Sequence, residues 1–362
     1  MRAVVLHGHG GLDQLTLHTD WPTPAPGPED VLIEVHACGM NNTDVNTRSG
    51  WYSKAVSDAT TGDAYETVDE DDPTWGGAPI TFPRIQGADA CGVVVAVGEK
   101  VDASLVGKRV ITDNWLRDWA EPMNRDAAGY FGSEADGGYA EYCVIDHRNA
   151  RPIESDLSSA ELATFSCSYS TAEGMLQRAG VTSDDTVLVT GASGGVGSAV
   201  IQLAKMRGAR VVALASPGKH ESLRALGADI LLDRAPDDLA GALEASTGRP
   251  TVEVVADIVG GTIFPALIDI LARGGRYTCS GAIAGPLVSL DLRTFYLNDL
   301  TFTGSTVIAP SVMDDLVGYI ETGALKPLVA ATYPLEAFHA GQAAFIEKQH
   351  VGNFVVAVQP SS

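Results

Sequence analysis

The stretch Thr190-Gly-Ala-Ser-Gly-Gly-Val-Gly197 has the spacing most suggestive of chemistry. Gly194 lets the backbone approach a pyrophosphate, and Gly197 lets a following helix pack closely on the preceding strand. Ala192 stands where the first glycine of G-x-G-x-x-G would fall, so the strict pattern is broken there. The flanks supply the required context. Thr186-Val-Leu-Val189 is a short β-branched apolar run, and Ser198-Ala-Val-Ile-Gln-Leu-Ala-Lys205 has the apolar face of a helix. A helix N-terminus after a glycine turn presents free N–H groups and partial positive charge to phosphates. Ser193, Gly194, Gly195, Val196 and Gly197 are therefore the candidate cofactor loop, against the plainer reading of a structural turn.

The type of dinucleotide follows from the next strand. A carboxylate at its end would hold the ribose 2′-hydroxyl of NAD. That strand reads Arg210-Val-Val-Ala-Leu-Ala-Ser-Pro-Gly-Lys219, with no acid at its end. Ser216 and Lys219 offer instead a hydroxyl and a point positive charge, which suit a 2′-phosphate. The expected cofactor is NADPH (NADP). The competing account makes Ser-Pro-Gly a plain turn and Lys219 a solvent-facing residue that opens the next helix.

The elements that must position these groups fall into two regimes. From 156 to 303, strand-like runs at 186–190, 210–215, 229–232, 252–257 and 275–280 alternate with helical patterns at 195–208, 218–227, 236–246 and 262–272. That alternation predicts an α/β domain, a Rossmann doubly wound parallel sheet. Residues 1–155 are β-rich, with strands expected at Val31–Cys38, Gly92–Val97 and Gly137–Ile145. The tail, 304–362, returns to mixed strands and a helix around Leu335–Lys348. Two irregular insertions, 51–84 and 114–136, carry Trp75, Trp115, Trp119, Tyr130 and Phe131, as a wall of a substrate cleft or as plain surface packing.

Composition excludes several classes. With 46 acidic against 24 basic residues, the net charge of -22 repels a phosphate backbone, so no nucleic-acid partner is expected. No apolar run approaches the roughly 20 residues of a membrane span, so no membrane association is expected. Five cysteines without paired spacing, and no signal-peptide pattern at Met1-Arg-Ala-Val-Val-Leu6, suit a cytoplasmic protein.

With these segments in place, the layout resembles the medium-chain dehydrogenase/reductase superfamily over essentially the whole chain. The resemblance rests on Gln86-Gly-Ala-Asp-Ala-Cys-Gly-Val-Val-Val-Ala-Val-Gly98, Gly137-Gly-Tyr-Ala-Glu-Tyr142, Asp257-Ile-Val-Gly-Gly261, Gly274-Gly-Arg276 and His350-Val-Gly-Asn-Phe-Val-Val356, besides the glycine loop. It implies a GroES-like catalytic domain from 1–155 and 304–362, a nucleotide domain from 156–303, and hydride transfer. Zinc members carry cysteine, histidine and cysteine ligands. Here Asn41 and Ala88 stand at the first two positions and only Cys167 matches, so no metal is expected.

The resemblance is to the zinc-free quinone oxidoreductase-like branch. It implies that Asn41 offers an amide N–H to a substrate carbonyl or to the nicotinamide ribose, although Asn41 also suits a turn that caps its own backbone. Thr43 matches a relay hydroxyl, while Asn46 replaces the relay histidine. Tyr52 resembles a tyrosine at the cleft mouth that donates a hydrogen bond or a proton to a developing enolate, unless it is only packing. Asp44 is expected to orient backbone. Thr171, the loop Gly281-Ala282-Ile283 and Asn353 match cofactor-contacting positions.

The implied activity is NADPH-dependent reduction of a quinone or an α,β-unsaturated carbonyl compound. The alternatives are a carbonyl reductase or alcohol dehydrogenase with an unusual metal site using Asp89 and Cys167, and a non-catalytic NADPH-binding protein. Leu300–Val307 resembles the strand that pairs across a two-fold axis in relatives, so a homodimer is expected. The small-molecule substrate itself is not legible.

Overall fold

The computed structural model describes residues 1–69, 71–72 and 78–359, so Trp75-Gly-Gly77 and Glu70 of the first insertion lie outside the described residues. The chain divides into two compact units. One comprises Met1–Val56, Thr61–Cys167 and Ala309–Ser362, and the other Ser57–Thr60 and Ser168–Ile308.

The first unit begins with β1 (Ala3–Leu6), β2 (Leu15–His18) and β3 (Asp30–Met40), then α1 (Asn42–Ser49). It continues through β4 (Arg84–Ile85), β5 (Asp89–Val97), β6 (Arg109–Thr112), β7 (Trp115–Leu116), β8 (Gly129–Tyr130), β9 (Tyr142–Asp146), β10 (Ala150–Pro152) and α2 (Ser159–Leu162). β3 alternates buried and half-buried residues through Ala37, which makes it a strand with one face on the core. The expected strand Gly137–Ile145 forms a ladder only from Tyr142. Gly137 and Gly138 instead follow the turn at Gly87, where a Cβ on Gly137 would lie 2.4 Å from the Gly87 carbonyl oxygen.

The second unit takes most of α3 (Ser166–Arg178), then β11 (Thr186–Val189), α4 (Gly195–Met206), β12 (Arg210–Leu214), α5 (His220–Ala225), β13 (Ile230–Leu232), α6 (Leu239–Thr247), β14 (Val252–Asp257), α7 (Phe264–Asp269), β15 (Leu271–Cys279), α8 (Leu292–Leu297) and β16 (Thr301–Gly304). Its six strands are all parallel, in the order β13-β12-β11-β14-β15-β16. This is the doubly wound sheet expected from the alternation. β11 lies between β12 and β14 with all four residues buried, as a continuous apolar run in a sheet covered on both faces requires. Leu188, Val212, Val255 and Leu267 lie at the centre of its core.

The tail returns to the first unit with α9 (Ser311–Glu321), β17 (Val329–Pro334), α10 (Phe338–Ile346) and β18 (Asn353–Ala357). Where the pattern suggested one helix, two form. The buried Val312, Met313, Leu316 and Ile320 give α9 a helical apolar stripe. A seven-stranded sheet in the order β10-β6-β5-β3-β18-β17, with β9 also on β3, unites the start and end of the chain. Its core gathers Ile33, Val35, Phe131, Tyr139, Phe338 and Val356. Among the described residues no helix is long and apolar enough to cross a membrane.

Candidate active site

The glycine loop joins β11 to α4. Gly194 is the N-cap of α4 in extended conformation, and a Cβ there would meet nothing nearer than 3.6 Å, so its surface stays open. A Cβ on Gly197 would lie 2.4 Å from the Gly191 carbonyl oxygen and 2.6 Å from the Ala192 Cα, both backbone atoms that cannot yield. Ala192 is fully buried, so its methyl group points into the protein and the broken glycine pattern leaves the phosphate-facing surface untouched.

The loop is held from below. Thr190 Oγ1 donates to Asp257 Oδ1 (2.5 Å), and Tyr277 OH donates to Asp257 Oδ2 (2.7 Å). The open surface at Gly194 and the α4 N-terminus fits a nicotinamide dinucleotide, whose pyrophosphate Ser193–Gly197 would hold.

Parallel pairing places Leu214 beside Leu232, so the ends of β12 and β13 leave the sheet together. Half-buried Ser216 and Lys219 follow β12, and Lys219 Nζ donates to Ser193 Oγ (3.3 Å). Burial and the charge of Arg234 both draw the Lys219 ammonium below the usual lysine range. Arg234 was not singled out from the sequence. The signal was a cation two residues beyond the end of β13, and it needed the sheet order to become meaningful.

Thr171 is half-buried on α3. Gly281-Ala282-Ile283 follow β15 closely, with Cys279 Sγ donating to the Gly281 carbonyl (3.2 Å). The Ile283 carbonyl accepts from Thr60 N (3.0 Å), which ties part of the first insertion to this unit. Asn353 lies in the other unit, buried, with Nδ2 donating to the Thr164 carbonyl (3.1 Å).

A second set of candidates converges in the first unit. Asn41 is the N-cap of α1, and Asp44 Oδ2 accepts from Asn41 N (2.8 Å) and from Tyr139 OH (2.7 Å). Asp44 orients backbone, and burial pushes its carboxyl up to about 6. The Asn41 side chain does more than cap: Nδ2 donates to Asp89 Oδ2 (3.0 Å).

Asp89 Oδ1 accepts from Cys167 N (2.8 Å) at the start of α3. Tyr52 OH donates to Thr43 Oγ1 (3.4 Å) and also bonds the Asn46 side chain. Its phenol is raised above 10 by burial, and Cys167 is near enough to add to that shift. Asn41, Thr43 and Tyr52 thus share one neighbourhood with Cys167.

Tyr130 completes it. Its hydroxyl accepts from Asn114 Nδ2 (3.0 Å) and faces the Cys167 thiol. Of the aromatics expected to wall a cleft, Trp115 packs edge-on to Tyr130 at 5.1 Å and Phe131 is fully buried in the core. Trp119 donates to Asn149 Oδ1 (3.3 Å) beneath Arg148. These three serve packing. Lys348, also not singled out, places Nζ 2.6 Å from Asn42 Oδ1 above the Phe345 ring, and burial draws it down to about 7.

The zinc positions of the family do not fit the ion. Ala88 has no donor atom, both Asp89 oxygens accept hydrogen bonds, and the Asn41 amide is turned to Asp89. Among the described residues no three or more His, Cys, Asp or Glu side chains gather as a metal group.

Burial raises Asp89 from 3.8 to about 8, and this makes a stability prediction. Between those values the folded protein holds a proton that the unfolded chain releases. Stability attributable to Asp89 is therefore full below about 4 and lost progressively as pH rises to about 8. Urea unfolding of wild type and Asp89→Asn at pH 7 and 8.5, above the Asp44 midpoint, should show the difference between them shrinking at the higher pH. A constant difference would show that Asp89 does not titrate there.

Two family descriptions match this architecture: an alcohol dehydrogenase GroES-like domain over residues 27–155 and a zinc-binding dehydrogenase over 195–322. The solved structure of a protein from Sinorhizobium meliloti 1021, described as a putative alcohol dehydrogenase, is 47% identical, with a TM-score of 0.89 over 99% of this chain and 96% of that one. The chain belongs to the medium-chain dehydrogenase/reductase superfamily, in its quinone oxidoreductase-like branch. A quinone oxidoreductase of Lama guanicoe is 28% identical, covering 93% of this chain and 91% of the relative. A solved NAD-dependent alcohol dehydrogenase is 31% identical, with a TM-score of 0.87 over 99% of this chain and 100% of that one. This medium-chain dehydrogenase/reductase is accordingly an oxidoreductase. The family description that names zinc stands beside a donor set in this chain that does not fit it.

Proposed function

We propose that this protein is an NADPH-dependent reductase that delivers hydride to a quinone or an α,β-unsaturated carbonyl compound without zinc. The observation that carries the reading is the state of the family's ligand positions, where Ala88 has no donor atom and the Asn41 amide donates to Asp89 Oδ2. A reduced nicotinamide supplies hydride when bound. Without a Lewis acid, acceptors that need little activation are favoured. Asn41 retains a second amide N–H for a substrate oxygen, while Asp89 orients the first.

Tyr52 OH holds a proton that can pass to the α-carbon or oxygen of an enolate after hydride arrives. A quinone accepts its proton from solvent. The test is a screen of NADPH oxidation against quinones, enones, aldehydes and enoyl thioesters, with metal analysis of the same preparation. Turnover of quinones or enones by metal-free protein supports the reading, and activity lost with one zinc per chain defeats it.

Ser193, Ser216, Lys219 and Arg234 support the extra phosphate of NADPH over NAD. Lys219→Glu should raise the KM for NADPH by about 10-fold or more while leaving that for NADH within about threefold, because one charge-assisted contact contributes about 1.5–3 kcal/mol. An equal change for both cofactors in steady-state kinetics would remove Lys219 from phosphate recognition. The relative described as an alcohol dehydrogenase favours a second reading, alcohol oxidation or carbonyl reduction, which the same screen distinguishes.

Five cysteines that form no disulfide support work in a reducing cytoplasm. The assembly proposed is a homodimer. β16 is the last strand of its sheet, and Leu292, Tyr296 and Leu297 on α8 are 64, 60 and 56% exposed. Light scattering should return twice the mass of 37.8 kDa, and Leu292→Glu with Tyr296→Glu should return the single mass.

A further inference from the structure

In the first unit, a small cavity lies against Tyr52. Asn46, Ser53, Asp72 and His9 are among its lining residues, and it is of the order that a single water fills. Tyr52 is one end of a hydroxyl pair with Thr43, and His9 and Asp72, both half-buried, line the same cavity. Four contacts organise the side of His9 and Asp72. His9 Nδ1 donates to the Thr47 carbonyl (3.0 Å), which leaves Nε2 as the atom that can exchange a proton. The His9 ring meets Phe82 edge-on at 5.1 Å, which limits its rotation. Asp72 Oδ2 accepts from Ser53 Oγ (2.6 Å) and from Asp69 N (3.1 Å), fixing a carboxylate at the rim. Asn46, at the position where a histidine would relay protons in zinc relatives, donates a hydrogen bond to Tyr52, and its amide has no titrating proton to carry onward.

We propose that His9 recharges Tyr52 with protons through this cavity, giving the protein a relay that bypasses Asn46. The proposal rests on the reductase reading above. Hydride joins the β-carbon of an enone, and the electron pair of the C=C bond moves to the α-carbon and carbonyl oxygen. That enolate takes the proton of Tyr52 OH as the O–H bond breaks. The phenolate takes a proton from a water in the cavity, and the His9 imidazolium gives its Nε2 proton to restore that water. Solvent then reprotonates His9, so each turnover consumes one hydride and one proton. Asp72 steadies the imidazolium and transfers nothing. His9 is a positioning residue for the proton, since it acts only through Tyr52.

The test compares wild type, His9→Ala and His9→Gln on an enone and on a quinone, which takes its proton from solvent. Glutamine keeps a donor for the Thr47 carbonyl and guards against a variant that fails to fold. The relay predicts that the ratio of enone to quinone kcat falls about tenfold in both variants with KM little changed, and that added imidazole restores the ratio in His9→Ala. An unchanged ratio, equal losses on both acceptors, or no response to imidazole would overturn the relay. Those outcomes leave the reductase reading intact, whereas wild type that turns over neither acceptor defeats the reductase reading and the relay with it.

Discussion

Tyr52→Phe should lower kcat for an α,β-unsaturated ketone by about 100-fold, the range expected when a positioned proton donor is removed. The substitution deletes one oxygen. It leaves the ring packed edge-on to Trp51 at 5.6 Å, so the fold has little reason to change. Thr43 loses its donor and Asn46 an acceptor, but neither can supply a proton at the same point. A quinone should be reduced at a rate much closer to wild type, because its hydroquinone is protonated from solvent. Stopped-flow oxidation of NADPH with each acceptor separates the two steps. Equal loss on both acceptors would reassign Tyr52 to binding, and no loss on either would leave it as packing.

The second large effect concerns Arg48, one of the largest fully buried side chains. Its guanidinium donates to the carbonyls of Gly10 (2.5 Å) and Gly62 (2.9 Å) and to Gln342 Oε1 (2.9 Å). One side chain thus joins α1, the loop after β1, the first insertion and α10. Burial draws its pKa below the usual arginine value, with Asp63 and Asp13 opposing.

Arg48→Met has similar length, but it leaves three buried acceptors without a donor, each costing about 1–3 kcal/mol. Relief of the buried charge offsets part of that sum, so a net loss of about 3 kcal/mol is expected. Urea unfolding should show the midpoint fall with the slope unchanged. The insertion should also become protease-sensitive near Gly62, since Arg48 holds its carbonyl. A midpoint within error of wild type would show that the charge costs as much as its bonds return.

Much of the second unit was legible because its signals are local. The run Thr186–Val189, the glycine loop and the helix after it occupy consecutive residues, and their periods alone state strand, turn and helix. Ser193, Ser216 and Lys219 could be chosen for the same reason. The irregular 51–84 insertion was not legible beyond its irregularity, since it carries no period. The strand expected from Gly137 failed locally, because close backbone contacts with the Gly87 turn replaced the ladder there.

The remaining assignments depended on distances that no local pattern encodes. Asn41 meets Asp89 across 48 residues, and Asp89 meets Cys167 across 78. Composition could say that Asn41 is a poor zinc ligand, but only the folded chain shows what occupies both oxygens of Asp89. Arg234 acquires meaning only because β13 lies beside β12, and His9 only because the loop after β1 returns to α1. Chain order thus carried the elements, the glycine loop and the missing ligand. Sheet register and burial, which act between residues remote in sequence, decided which side chains meet and which protons they hold.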